Sequence, residues 1–211
     1  MNTLEIIYPL LATVVAYLIG SLSFAVIVSR TMGLNDPRTY GSKNPGATNV
    51  LRSGSKAAAI VTLILDAAKG WLPVALVHWY GQPYGLEEGS MALVGLAAFV
   101  GHLFPVFFKF VGGKGVATAL GVLLGISGWL ALATLLGFAL VVYVTRYVSL
   151  ASVMAAVLAP VIYFFGGDVV WSMDGRIALS IVLMSALLVW RHAENITRLM
   201  KGTESKLGKK G

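Results

Sequence analysis

Along its length the chain alternates long apolar runs with short polar ones. The runs cover roughly residues 6–29, 55–80, 90–110, 116–145, 148–166 and 175–190. Most are close to the ~20 residues that an α-helix needs to cross ~30 Å of hydrocarbon, and none has the short alternating segments of a membrane barrel. At ~1.5 Å per residue, the run 116–145 is too long for one crossing and short for two. A turn signal, "GISGW" from Gly125 to Trp129, divides it. Two short helices or a re-entrant hairpin are expected there. The pattern predicts an all-α integral membrane protein of about seven transmembrane helices, a single polytopic domain over residues 1–211 with a polar tail from 191 to 211. The first run is read as a retained span: only Glu5 precedes it where a signal peptide would be basic, and "SLSFAVIVSR" continues apolar past any small-residue cleavage site.

Composition agrees with that reading. Hydrophobic residues make up 57% of the chain and charged residues 12%, against roughly 25% charged in soluble domains. There is no cysteine, which excludes disulfides, a thiolate nucleophile and thiolate metal sites. The net charge of +7 is unevenly placed. Every Lys and Arg except Lys69 and Arg176 lies within 30–56, 109–114, 146 or 191–210, whereas the other ends and loops carry Glu5, Glu87, Glu88, Asp168 and Asp174. By the positive-inside rule the N-terminus is expected outside and the C-terminus in the cytoplasm, as seven crossings also require. The stretches 30–54, 109–115, 145–149 and 191 onward are then expected on one cytoplasmic face. The basic tail "KLGKKG" reads as a topological signal attracted to anionic membrane lipids, with no nucleic acid as partner.

These polar stretches carry the candidate chemistry. In "GGKGVAT", Gly112, Gly113 and Gly115 surround Lys114 and lead into an apolar helix. Such a backbone can curl its N–H groups inward beside a helix N-terminus, which makes an anion site. It is not a Walker A loop, since Phe108 and Gly115 stand where Gly and Ser or Thr are needed. A plain Gly-rich connector is the alternative. "GSKNPGATNVLR" offers Ser42, Asn44, Thr48 and Asn49 as neutral hydrogen-bonding groups and Arg52 as a fixed fork for phosphate. The alternative here is a solvated loop whose charges only orient the chain. Ser149, in "RYVSLAS", reads first as a helix cap. His192 and Asn195, in "RHAENITRLMKGTESK", share a face if the last helix continues into the tail; a solvated interfacial His is the plainer reading. Inside apolar runs, Asp66 and Lys69 are spaced to pair, either structurally or as part of a site. His102, before Pro105, reads as a packed core residue rather than a ligand contact.

A site with backbone nests, Lys114 and Arg52 but few carboxylates calls for a phosphate-bearing anion, and its place in a helical membrane protein lets the rest of that ligand be apolar. The motifs "GSKNPGATNVLR", "DAAKG", "GHLFPVFFKF", "GGKGVAT" and "RHAENITRL" resemble, in order and approximate spacing, those of the bacterial PlsY family of acyl phosphate:glycerol-3-phosphate acyltransferases. The resemblance extends from the first span to the tail. It implies a seven-helix fold in the bacterial inner membrane. The implied reaction transfers a fatty acyl group from acyl phosphate to the 1-hydroxyl of glycerol 3-phosphate, giving lysophosphatidic acid in phospholipid synthesis. It further implies Lys114, His192, Arg52 and Asn195 as catalytic residues, and Ser42, Asn44, Arg52, Gly112, Gly113, Lys114, Gly115 and Ser149 as substrate-binding residues. No cofactor, metal or obligate protein partner is expected.

Rival classes differ in visible features. Acyl-CoA-type acyltransferases resemble one another in an H-x-x-x-x-D box, but Pro83, Phe107 and Thr197 lie five residues after the three His. CDP-alcohol phosphotransferases resemble one another in several spaced Asp; the expected cytoplasmic stretches hold only Asp36. A transporter of an anionic solute is the non-enzyme alternative, yet no internal repeat accompanies the polar motifs.

The charge pattern makes a direct test possible in this cysteine-free chain. Single Cys placed at Lys43, Lys114 or Lys206 should be shielded from an impermeant thiol reagent in intact cells, and Cys at Glu87 or Asp168 should react. Labelling of the first group from outside would overturn the assigned orientation.

Overall fold

The computed structural model describes residues 3–208, and among them helices account for all regular structure beyond one isolated bridge at Gly167 and Trp171. Ten α-helices follow in order: α1 (Thr3–Gly20), α2 (Phe24–Thr31), α3 (Ala47–Leu51), α4 (Lys56–Tyr80), α5 (Glu88–Leu103), α6 (Val116–Ile126), α7 (Gly128–Thr145), α8 (Val148–Gly166), α9 (Gly175–Arg191) and α10 (Ala193–Met200). Side chains set several boundaries by accepting orphan N–H groups. Ser55 takes Ala58 N–H at 3.2 Å, Ser127 takes Leu130 N–H at 3.4 Å, and Asp174 takes Arg176 N–H at 2.8 Å.

Each apolar run becomes helical. Against the expected seven or so, four helices, α4, α5 with its following turn, α7 and α8, are long and apolar enough to cross a membrane, and the number reaches six if each of the bent pairs α1–α2 and α9–α10 counts as one span. The shorter α6 is apolar as well. Two details differ from expectation. The run 116–145 divides at Ser127, but unequally, because α7 alone has 18 residues. The first run is broken: α1 and α2 meet at 44° across Ser21–Ser23. The break follows Gly20–Ser21, a Gly/Ser pair of the kind at which helices kink, and α4 meets the group it frees. Lys69 Nζ donates to the Leu22 carbonyl at 2.6 Å, so the backbone group freed by the break is satisfied by a side chain. The same ammonium pairs with Asp66 at 2.8 Å and lies 5.6 Å from the centre of the Phe24 ring.

The residues divide into two compact units at Ile126/Ser127. In the first, α4 packs against α6, α5, α3 and α2, and α1 packs against α5. Glycines govern these crossings. A Cβ on Gly121 would strike the Ala67 carbonyl, and one on Gly70 the Thr118 carbonyl; Gly20 and Gly101 play the same part between α1 and α5. Small residues let helix backbones approach closely, which matters where lipid removes the hydrophobic drive for association. In the second unit α8 packs between α7 and α9 and also meets α10. Its α8–α9 connection is pinned by Trp171, which stacks on Tyr163 at 6.0 Å and donates to the Tyr163 carbonyl at 3.0 Å. The outer surfaces are apolar: in α7 only 17% of the spanning stretch is buried, and Leu132, Leu136, Leu140 and Val144 are exposed. So large an apolar surface belongs in lipid.

The glycine crossings predict a sharp contrast in stability. Gly121→Ala should cost about 1–3 kcal/mol through overpacking against α4, whereas Gly175→Ala, which opens onto free space, should leave the midpoint of thermal unfolding in detergent within experimental error. Equal midpoints for the two variants would refute the close-approach account.

Candidate active site

In the first unit two loops build one polar surface. Asn49 is buried and turned inward, not outward as a ligand-binding group: its Nδ2 donates to the Pro37 carbonyl at 2.6 Å and the Tyr40 carbonyl at 3.2 Å, and its Oδ1 accepts the Ser42 N–H at 3.0 Å. One side chain thereby ties residues 37–42 to α3. Asp36 and Arg38 form a fork-shaped pair at 2.6 Å beside it, and the hydrogen bond from Arg38 holds the Asp36 carboxyl below the usual carboxylate range. Gly41 has φ +56°, and a Cβ there would stand 3.0 Å from Arg52 Cδ and 3.2 Å from a guanidinium nitrogen. Arg52 therefore lies across the backbone next to Ser42. Ser42 and Arg52 are exposed and Asn44 is half-buried.

The second loop is Gly112–Gly115. Gly112, Gly113 and Gly115 are buried and Lys114 is half-buried between them. Gly113 N–H donates to the His102 carbonyl at 3.2 Å, and Gly115 takes φ +84° with its α-carbon against Phe99 and Leu103. Only glycine fits either place. α6 starts at Val116, so the N–H groups of its first turn follow the loop without interruption. The two loops touch: the Pro45 carbonyl would be 3.0 Å from a Cβ on Gly113. Ser42, Asn44 and Arg52 thus belong to the loop that abuts the glycine cradle of Lys114.

The second unit carries the other three residues. Ser149 is buried in the first turn of α8 but does not cap it, since Tyr147 is the N-cap residue. The last helix does not continue into the tail. It bends by 56° at His192, between α9 and α10, because the His192 side chain turns back and its Nδ1 meets the Leu188 carbonyl at 2.8 Å. A carbonyl can only accept, so Nδ1 is the donor in this contact. Asn195 is buried one turn on and donates from Nδ2 to Glu204 at 2.7 Å. The remaining oxygen of Glu204 accepts Arg198 Nε, also at 2.7 Å.

Glu204 is the residue that the sequence reading missed. Its side chain is only 7% exposed, although it lies in a tail expected to be solvated. The tail folds back: Leu207 N–H donates to the Arg146 carbonyl at 2.8 Å, and Lys206 lies over the Tyr147 ring. Burial would raise the Glu204 carboxyl, but Ser149, Arg198 and Asn195 around it outweigh burial and hold it below its ordinary value. The Ser149 hydroxyl favours the carboxylate by proximity without reaching full hydrogen-bond geometry. The available signal was a lone carboxylate following α10 in an otherwise basic tail. No group of three or more His, Asp or Glu among the described residues could hold a metal ion.

Comparison with known proteins decides what carries this arrangement. A family model described as glycerol-3-phosphate acyltransferase matches residues 10–202. The chain belongs to the glycerol-3-phosphate acyltransferase family. It is 69% identical to the protein of that name from Albidiferax ferrireducens, over all of this chain and 94% of that one. It is 62% identical to the Paraburkholderia phytofirmans protein, over 95% and 92%. Among solved structures it resembles PlsY (YgiH), an integral membrane glycerol 3-phosphate acyltransferase, in its glycerol 3-phosphate form. That likeness has a TM-score of 0.87 and 37% identity, covering 95% of this chain and 96% of that one. The form of the same protein with lysophosphatidic acid gives a TM-score of 0.85.

The lowered carboxyl of Glu204 predicts an acid-sensitive tail. A carboxyl held low in the folded state contributes stability above its ordinary value of 4.5 and loses it as pH falls toward the lower folded value. Glu204→Gln should therefore cost about 1–3 kcal/mol at neutral pH, with the gap to wild type narrowing as thermal unfolding is followed downward from pH 5. A gap that stays constant would mean that the carboxylate charge is not what the three partners hold.

Proposed function

We propose that this glycerol-3-phosphate acyltransferase uses acyl phosphate as donor and acylates the 1-hydroxyl of glycerol 3-phosphate, releasing lysophosphatidic acid and inorganic phosphate. One observation carries the reading most directly: the Gly112–Gly115 cradle with Lys114 abuts the loop of Ser42, Asn44 and Arg52, in a chain of this family. Backbone N–H groups, an ammonium and a guanidinium suit two phosphate-bearing substrates. The expected cytoplasmic loops apart from 30–54 are short, and their sequences offer no evident nucleotide fold for a coenzyme A donor.

An acyl phosphate is a mixed anhydride. The glycerol hydroxyl oxygen attacks its carbonyl carbon, the bond from that carbon to the phosphate oxygen breaks, and phosphate departs with the electron pair. Candidates to take the hydroxyl proton are the imidazole of His192, a role the family resemblance implies, and the departing phosphate. Because the leaving group is good, rate comes from holding two anions together and stabilising the charge that develops. Lys114 and Arg52 serve that purpose, the cradle binds phosphate, and Ser42 and Asn44 complete the polar wall. Asn195, which Glu204 fixes, is assigned to catalysis and Ser149 to substrate binding on the family resemblance alone. The enzyme works as one polytopic domain of the bacterial inner membrane with its active site at the cytoplasmic face, as the distribution of Lys and Arg supports.

Purified protein should convert palmitoyl phosphate and glycerol 3-phosphate to lysophosphatidic acid and phosphate without added metal, with no comparable rate from palmitoyl-CoA. Lys114→Ala and Arg52→Ala should each lower kcat/KM by about 3 kcal/mol or more of transition-state stabilisation, and Lys201→Ala should change little. Equal use of palmitoyl-CoA would overturn the donor assignment. Near-normal turnover in both site variants would remove those residues from the machinery.

A further inference from the structure

Four buried polar side chains of the first unit take no part in the chemistry above: Asp66 and Lys69 on α4, His102 on α5 and Thr118 on α6. Asp66 Oδ1 is 2.8 Å from Lys69 Nζ, as an ion pair rather than an aligned hydrogen bond, and 3.6 Å from His102 Nδ1. Thr118 Oγ1 lies 3.2 Å from the same ring nitrogen. On its other side the ring meets the glycine loop. A Cβ on Gly113 would overlap His102 Nε2, and one on Gly112 would overlap the His102 carbonyl, which already accepts the Gly113 N–H.

The arrangement is costly and specifically placed. Ionisable groups within apolar membrane helices are expensive, and apolar side chains of similar size would pack the helices at least as well. Lys69 has an evident task in the Leu22 carbonyl. Asp66 neutralises it, but that alone does not explain a His beside the pair or a Thr reaching the same nitrogen. His102 precedes the loop by ten residues and Thr118 follows it by three. Their contact closes the base of the segment that contains Gly112–Gly115, with the loop resting on the ring.

We propose that the Asp66–His102–Thr118 cluster is the positioning device of the phosphate cradle. Asp66 and Thr118 fix the plane of the His102 ring, and the ring together with its own carbonyl sets the height and direction of the Gly112 and Gly113 backbone. His102 is a positioning residue here and touches no substrate. The proposal rests on the reading of Gly112–Gly115 as a phosphate site. Such sites depend on donors held in place before reaction, and displacements near 1 Å can cost on the order of a hundredfold in rate.

The test compares His102→Ala, His102→Asn and Asp66→Asn with wild type in detergent. It measures kcat and KM for glycerol 3-phosphate and for palmitoyl phosphate, and hydrogen–deuterium exchange of peptides covering residues 111–116. His102→Ala should raise KM for at least one phosphate substrate about tenfold or more and speed exchange in 111–116, while exchange in α4 and α5 stays as in wild type. His102→Asn places an amide near the site of Nδ1 and should recover much of both effects; Asp66→Asn should reproduce the exchange change in part. Unchanged KM and exchange in His102→Ala would overturn the proposal. So would faster exchange across all of α4, α5 and α6 with no recovery by Asn, because that pattern is general loosening. If wild type lacks acyl transfer the functional reading falls, and the exchange comparison still decides whether His102 fixes the loop.

Discussion

A backbone carbonyl freed from its helix inside an apolar chain has no water to turn to, and the break between α1 and α2 frees that of Leu22. Lys69 answers it at 2.6 Å. This one contact requires a charge among apolar helices, the charge requires Asp66, and Asp66 brings a carboxylate within 3.6 Å of His102. The break also turns α2 away from α1, so that the loop after α2 begins where α3 and the start of α4 can hold it. Asn49 then fastens residues 37–42 to α3, and Arg52 crosses Gly41.

Glycine has two distinct uses in the first unit. At Gly20, Gly70, Gly101 and Gly121 its lack of a Cβ brings helix backbones together, which is how packing is gained when lipid is as apolar as the side chains. At Gly112, Gly113 and Gly115 the same property seats a loop against His102, Phe99 and Leu103. The helices that approach closely are those that carry the cradle: α5 precedes it and α6 leaves it, and α4 packs against both. Close helix packing and a tightly seated glycine loop are therefore consequences of one compositional feature.

The second unit solves a different problem, that of a helix end. His192 closes α9 by returning Nδ1 to the Leu188 carbonyl, and the chain turns into α10. Asn195 and Arg198 on that helix need an acceptor, and the tail supplies Glu204. What reads as a basic appendage is for part of its length a structural strap, held by a carboxylate that its partners keep ionised. Membership of the glycerol-3-phosphate acyltransferase family accounts for why such polar investment appears in so apolar a chain.

Much of this was legible in the order of residues. The apolar runs fixed the helical class and nearly every helix, because in lipid only a helix or a closed barrel satisfies its own backbone. The spacing of Asp66 and Lys69 on one helical face announced their pair, and the five quoted motifs identified the family. Tertiary structure alone decided the rest. The partner that satisfies the Leu22 carbonyl at the α1–α2 break comes from a side chain 47 residues away, which no local pattern encodes. Asn49 faces inward because carbonyls of a neighbouring loop claim its amide. His102 passes from core filler to a support of the glycine loop only when α5 and α6 are side by side. Glu204 became visible only when the tail folded onto the α7–α8 turn. Sequence pattern reports which groups must leave water; which partners they then find is set by long-range packing.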